Sequence, residues 1–198
     1  MEIRTSLAAA ALTSAAMVAG AGVASAAVSI GVGPTPTAAF MNPTATATTG
    51  AVYENVVGSV PGLRTSPWVG SAVDPDEADS YYTSVSGGAS ATYSFGGNRT
   101  ALSFLWGTPD TYNDLEITLA GGTGTASLSG SDLAAANGDS DETVFVTISG
   151  ITFDEVTFSS GSNAFEYANL AAVPLPAAGL VMLTALGGAA AAYRRRKA

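Results

Sequence analysis

Cysteine and histidine are both absent from the 198 residues, and each absence removes a class of chemistry. Without cysteine there is no disulfide and no thiol nucleophile, so a folded domain must hold together by packing. Without histidine there is no side chain that titrates near neutrality unperturbed, and the commonest transition-metal ligand is missing. Ser-His-Asp and Cys-His catalysis and an ordinary zinc site are therefore excluded. Cations are scarce as well. Of the 7 Lys and Arg, Arg4 lies near the start and Arg194, Arg195, Arg196 and Lys197 lie at the end. Only Arg64 and Arg99 serve the whole middle of the chain, which holds every one of the 16 Asp and Glu except Glu2. So acidic a middle argues against nucleic acid or anionic lipid as a partner, since both are polyanions. It suits solubility outside a cell and the company of divalent cations.

What is present is concentrated first at the two ends. Met1–Ala26 has a short head with Arg4, an uncharged Ala/Val/Leu/Met stretch from Thr5 to Val23, and the small residues Ala24-Ser25-Ala26. That order reads as a secretory signal peptide cut by signal peptidase between Ala26 and Ala27. The other end, Val173–Ala198, is a proline motif, an apolar span and a basic stop. The 17 residues from Ala177 to Tyr193 carry no charge. As a helix they would cover roughly 25 Å, enough for a thin bilayer. The four cations that follow favour the cytoplasmic side, leaving the upstream chain outside. Two prolines keep Val173-Pro174-Leu175-Pro176 out of helix and extended.

Between these signals lie 146 residues, Ala27–Ala172, enough for one domain with a core. The stretch 27–50 is rich in Thr, Ala, Pro and Gly and carries no charge, and reads as an extended linker. From Ala51 to Ala172 short β-type runs alternate with turn residues: Val52–Val57, Ala89–Phe95, Ala101–Trp106, Leu115–Leu119, Thr125–Ser129, Val144–Ser149, Glu155–Ser159 and Phe165–Asn169. In Thr143–Ile148 the apolar Val144, Val146 and Ile148 alternate with threonine and another residue, as a half-buried strand requires. Gly96-Gly97-Asn98 reads as a hairpin turn, with further breaks at Gly121-Gly122 and Gly150. Only Ser131–Asn137 looks helical, with Ser131 as its cap. The expectation is an all-β fold, a single antiparallel β-sandwich or jelly-roll-like domain flanked by the signal peptide and a transmembrane sorting helix.

Two motifs inside that domain, with the two ends, bring out a resemblance. They are Leu105-Trp106-Gly107-Thr108-Pro109-Asp110-Thr111-Tyr112-Asn113 and, just before the tail, Phe165-Glu166-Tyr167-Ala168-Asn169. The chain resembles exosortase-dependent surface proteins with a PEP-CTERM-type C-terminal sorting signal, here in the VPLPA form. In that group the body motifs have the forms L-W-G-[ST]-x-D-x-Y-N and F-E-x-x-N; an acidic residue more often stands where this chain has Ala168. The resemblance covers the last 26 residues and the stretch 92–169. It implies export, a pause in the inner membrane, and cutting at or near Val173–Pro176 by an exosortase. It further implies a destination at the surface or outside of a Gram-negative cell, in the company of exopolysaccharide or biofilm. A permanent single-span anchor is the competing reading of the tail.

Two clusters offer candidate chemistry. Trp106, Asp110, Tyr112 and Asn113 could form a ligand site, an aromatic face for a sugar ring beside carboxylate and amide groups for its hydroxyls. The plainer reading makes Trp106 core and gives Asp110 and Asn113 to the turn. Asp74, Asp76, Glu77 and Asp79 place four carboxylates within six residues, hard oxygens of the kind Ca²⁺ takes, though not at EF-hand spacing. No other cofactor is implied. The expected function is non-catalytic: an exported surface or matrix protein, with a carbohydrate-binding module as the alternative and a small carboxylate-dependent hydrolase behind it.

Overall fold

The computed structural model describes residues 13–16, 18–19, 27–31, 43–68, 81–137 and 143–174. In chain order its elements are β1 (Thr13–Ala16), β2 (Val18–Ala19), β3 (Ala27–Gly31), β4 (Ala47–Thr49), β5 (Val52–Val56), β6 (Tyr82–Val85), β7 (Ala89–Gly107), β8 (Asn113–Leu119), β9 (Thr125–Ser129), α1 (Gly130–Asn137), β10 (Val144–Ser160) and β11 (Phe165–Pro174). Every pairing between these strands is antiparallel, so the expected all-β class holds. Among the described residues no helix is long and apolar enough to cross a membrane. The stretches Leu175–Ala198 and, apart from the backbone of β1 and β2, Met1–Ala26 lie outside the description, and with them most of both targeting signals.

The two longest strands organise the rest. β7 has 19 residues and β10 has 17, and they pair along almost their full lengths. Each was expected as two strands, split at Gly96-Gly97-Asn98 and at Gly150. The chain does not reverse at either place. Residues 95–98 stand opposite Asp154 alone, and residues 150–152 stand opposite Thr100, so both glycine sites are bulges in continuous strands. Gly96 and Gly150 take φ values of 63° and 83°, left-handed backbone that glycine adopts without a Cβ penalty. Arg99 Nη2 donates to the Phe95 carbonyl at 2.8 Å and closes the first bulge. Bulges bend a strand and increase its twist, and two facing each other redirect the central pair together.

Each half of the pair therefore meets different neighbours. The N-terminal half of β10 pairs with β3 and its C-terminal half with β8, which pairs with β9. The N-terminal half of β7 pairs with β4 and its C-terminal half with β11, which pairs with β6. The sheet folds over on itself, and its facing apolar sides enclose one core. Val144, Val146 and Ile148 point into it, as their alternation predicts, opposite Trp106, Phe104 and Leu102. Tyr93, Val156 and Ile117 face them from the other half, as do Phe158 and Leu115. Aromatic rings bridge the halves: Phe158 stacks on Tyr167 at 4.0 Å between centroids and meets Phe104 edge-on at 5.2 Å. The hydroxyls of Tyr93 and Tyr167, 2.8 Å apart, satisfy each other inside the core.

Three local expectations change. Part of the stretch read as linker belongs to the sheet: Ala47–Thr49 pairs with Thr92–Ser90, and Thr46 N–H donates to the Thr92 carbonyl at 2.8 Å. Threonine suits an edge strand as readily as a linker, which composition does not distinguish. The helix begins earlier than expected. Ser129, not Ser131, caps it, since Ser129 Oγ accepts from Asp132 N–H while Asp132 Oδ2 accepts from Ser129 N–H at 2.9 Å. Finally, Tyr82–Val85 is a strand with all four residues buried, which its polar composition hid.

Replacing Trp106 with Ala should lower unfolding free energy by about 3–5 kcal/mol, the cost of emptying a fully buried aromatic site. Val57→Ala, at a residue 45% exposed, should change it by less than about 0.5 kcal/mol. Urea denaturation followed by tryptophan fluorescence and circular dichroism measures both.

Candidate functional site

The two sequence motifs, more than fifty positions apart, come together at one end of β7. Glu166 on β11 lies opposite Gly107 on β7 and Ser84 on β6. Trp106 stacks on Phe165 at 4.3 Å between ring centroids, 21° from parallel. Gly107 is a glycine for a steric reason. A Cβ there would lie 2.9 Å from Pro67 Cβ and 3.4 Å from Glu166 Cβ. The segment carrying Pro67 crosses the outer face of the sheet, where Trp68 packs with Tyr82, Leu105, Phe145 and Ala168 in a second apolar cluster. Tyr82 fixes that segment by donating to the Gly58 carbonyl at 2.7 Å, and Thr143 donates to the Pro67 carbonyl at 3.0 Å.

Where this segment meets the loops after β7 and before β11 there is a cleft of about 230 Å³. Its polar lining is Arg64, Thr65, Thr108, Asp110, Tyr112, Asn163 and Glu166. Glu166 is 3% exposed, an acid set in a strand whose neighbours are apolar. Thr65 N–H donates to its Oε1 at 2.8 Å. Burial pushes the Glu166 carboxyl up to about 7; the Thr65 bond opposes that rise, and the nearby charge of Asp110 adds to it. Tyr112 Oη lies 2.8 Å from Asp110 Oδ2 and 3.0 Å from the Asn163 carbonyl, either of which can accept its proton. Burial first, then that bond to Asp110, pushes the Tyr112 hydroxyl up to about 12. Thr108, at the rim, holds a φ of 39°. A β-branched residue in left-handed backbone is a genuine outlier, and such strain gathers at ligand-facing loops.

Of the four residues read as a ligand site, the structure divides the set. Asp110 and Tyr112 line the cleft. Trp106 is fully buried, so its ring faces no ligand, and it belongs to the core as the plainer reading held. Asn113 is also fully buried, donating from Nδ2 to the Ala164 carbonyl at 3.3 Å and accepting from Ser160 Oγ at 2.7 Å. It ties the start of β8 to the loop before β11 and supports the turn. The acidic cluster Asp74, Asp76, Glu77 and Asp79 lies outside the described residues. So do Leu175 and Pro176 of the processing motif and Ala26 at the leader junction, whereas Ala27, Val173 and Pro174 fall in strands. Among the described residues no three acidic side chains gather as a metal centre would need.

The sequence alone does not single out Glu166, Thr65, Thr108, Arg64 and Asn163 as site residues. A signal for Glu166 was available: a lone acid among the apolar residues of Phe165–Leu170 can only be buried or lining something. Nothing local marks Arg64 or Thr65, which reach the cleft through a loop one hundred positions away. Both carboxylates are held by the protein, Glu166 through Thr65 and Asp110 through Tyr112. The arrangement suits binding of small polar groups, with Glu166 able to donate when protonated and to accept when ionised. Compared with known family models, curated proteins and solved structures, the chain matches none.

The Glu166 shift has a consequence for stability. Its ordinary value is 4.5 and its folded value about 7, so between these the folded state binds the extra proton. Stability from this group is complete below pH 4.5 and is lost as pH rises toward 7. Wild type should therefore lose more stability than Glu166→Gln over that interval, by about 3 kcal/mol at most. Thermal melts of both proteins at half-unit pH steps check this.

Proposed function

We propose that the chain is an exported surface protein, sorted by its C-terminal signal, cut by an exosortase near Val173–Pro176, and presenting a non-catalytic β-domain. The doubled-over sheet is read as a β-sandwich of jelly-roll-like kind. The observation that carries the proposal is the meeting of the two motifs. Leu105–Asn113 and Phe165–Asn169, which together underlie the resemblance, build one unit around Gly107 and Glu166. Residues that pattern a sequence group and also touch one another support a shared design. The leader cut fits the same reading, because among the described residues its removal would take β1 and β2, short strands at the margin of the sheet.

A second reading, a carbohydrate-binding module, is favoured by the cleft. Its side chains offer carboxylate, hydroxyl, amide and guanidinium groups together, the set that sugar hydroxyls engage as both donors and acceptors. On this reading exopolysaccharide is the partner, and the acidic surface selects neutral or basic sugars over acidic ones. A small carboxylate-dependent hydrolase stays behind this reading: Glu166 and Asp110 line one cleft, each with one carboxylate oxygen bonded inside the protein, and no observation favours catalysis over binding.

Two experiments test these readings. Mass spectrometry of the protein from its producing cell should find an N-terminus at Ala27 and a product without Arg194–Lys197; a mature protein retaining those cations contradicts processing. On a glycan array, the secreted protein should bind neutral glycans at least ten times more strongly than Asp110→Asn does, with the two melting alike. Equal binding by both removes the cleft as the site.

A further inference from the structure

The proline motif of the tail does not begin beyond the folded domain; it begins inside the sheet. β11 runs from Phe165 to Pro174, so Val173 and Pro174 are its last two residues. The strand has two unlike parts. From Phe165 to Ala168 it lies between β7 and β6, with Phe165, Tyr167 and Ala168 buried. At Asn169 the backbone turns left-handed, with φ 55°, and the register slips between Ala168 and Ala171. Past that slip Ala171, Ala172, Val173 and Pro174 pair with Ser103, Leu102, Ala101 and Arg99 of β7, and no described strand pairs with their other edge. Their side chains are small and progressively uncovered, and Val173 is 51% exposed. One row of backbone bonds and little apolar area place this segment at the low end of local stability.

With Pro174 on the sheet, only Leu175 and Pro176 separate it from Ala177, where the apolar span begins. Three residue steps reach about 10 Å at full extension. Enzymes that cut peptides take several substrate residues as a free extended strand, making main-chain bonds along it. Here the residues N-terminal to the motif already give theirs to β7, and the few beyond it run straight into the span. Freed from β7, the four residues Ala171–Pro174 would add about 13 Å of reach.

We propose that Ala171–Pro174 is a strap whose pairing with β7 masks the processing motif, and that its release from β7 sets the rate of cleavage. This rests on the reading of the tail as a processed signal. The cut itself is ordinary peptide hydrolysis, in which the C–N bond breaks, the acyl carbon gains the hydroxyl of water and the amine gains its hydrogen. What the fold adds is control. Cleavage follows opening of an edge segment hinged at Asn169, while Phe165–Ala168 keep the domain and the cleft intact.

The test uses the full chain in its producing cell, with precursor and product followed by pulse-chase. Ala171→Cys with Ser103→Cys joins a cross-strand pair in a chain that has no other cysteine. The locked protein should be cut at least ten times more slowly than wild type and than either single substitution, and reductant added to isolated membranes should restore cutting. Inserting Gly-Ser-Gly-Ser between Ala172 and Val173, which frees the motif without a lock, should speed cutting at least threefold. Cutting of the locked and inserted chains at the wild-type rate would overturn the strap and leave processing standing. A locked chain that stays uncut after reduction would overturn it too, since the loss would then come from altered recognition. Absence of product even from wild type would remove the processing reading and the strap with it.

Discussion

The contact between the end of β7 and the start of β11 is the constraint on which the rest of the molecule depends. Trp106 on Phe165 anchors the inner side of that contact in the core. Gly107 opposite Glu166 forms the outer side, where the absence of a Cβ lets Pro67 come close. From the same few residues follow the closing of the core, the seating of the segment that ends at Trp68, and the cleft between three loops. The strand that makes the contact also leads into the tail. A single strand thus joins packing and candidate chemistry, and disturbing its first half would affect both.

Much of the architecture was legible because period-two patterning is strong in this chain. Val144, Val146 and Ile148, and the alternating residues of Leu115–Leu119, gave their strands and their inward faces correctly. What misled were the glycines. Gly96-Gly97 and Gly150 supply left-handed backbone, which a reversing turn and a bulge in a continuing strand both require. Local sequence carries no information on whether the chain then doubles back or goes on. That choice is made by pairing partners far away, here by β7 and β10 bending together at the same level.

The site was legible in half. Asp110 and Tyr112 were recognised as loop residues with useful groups, and they do line the cleft. Trp106 and Asn113 belonged to the same motif but serve the core and the turn, because a nine-residue motif spans a strand end as well as a loop. Glu166 is the larger omission. Its neighbours in space, Thr65 and Asp110, are remote in sequence, and only their arrival makes the buried carboxyl unusual. An expectation built on motifs finds residues; it does not find which of them a fold will bury.

Two motifs join to hold one acid largely buried at the edge of a cleft, under the influence of the Asp110 charge. The most direct measurement is an NMR titration of the Glu166 carboxyl carbon, assigned by comparison with Glu166→Gln, between about pH 3 and pH 9. A midpoint near 7 is the result this account predicts. A midpoint near 4.5, the value of a freely hydrated glutamate, would contradict the burial of this carboxyl between the two motifs.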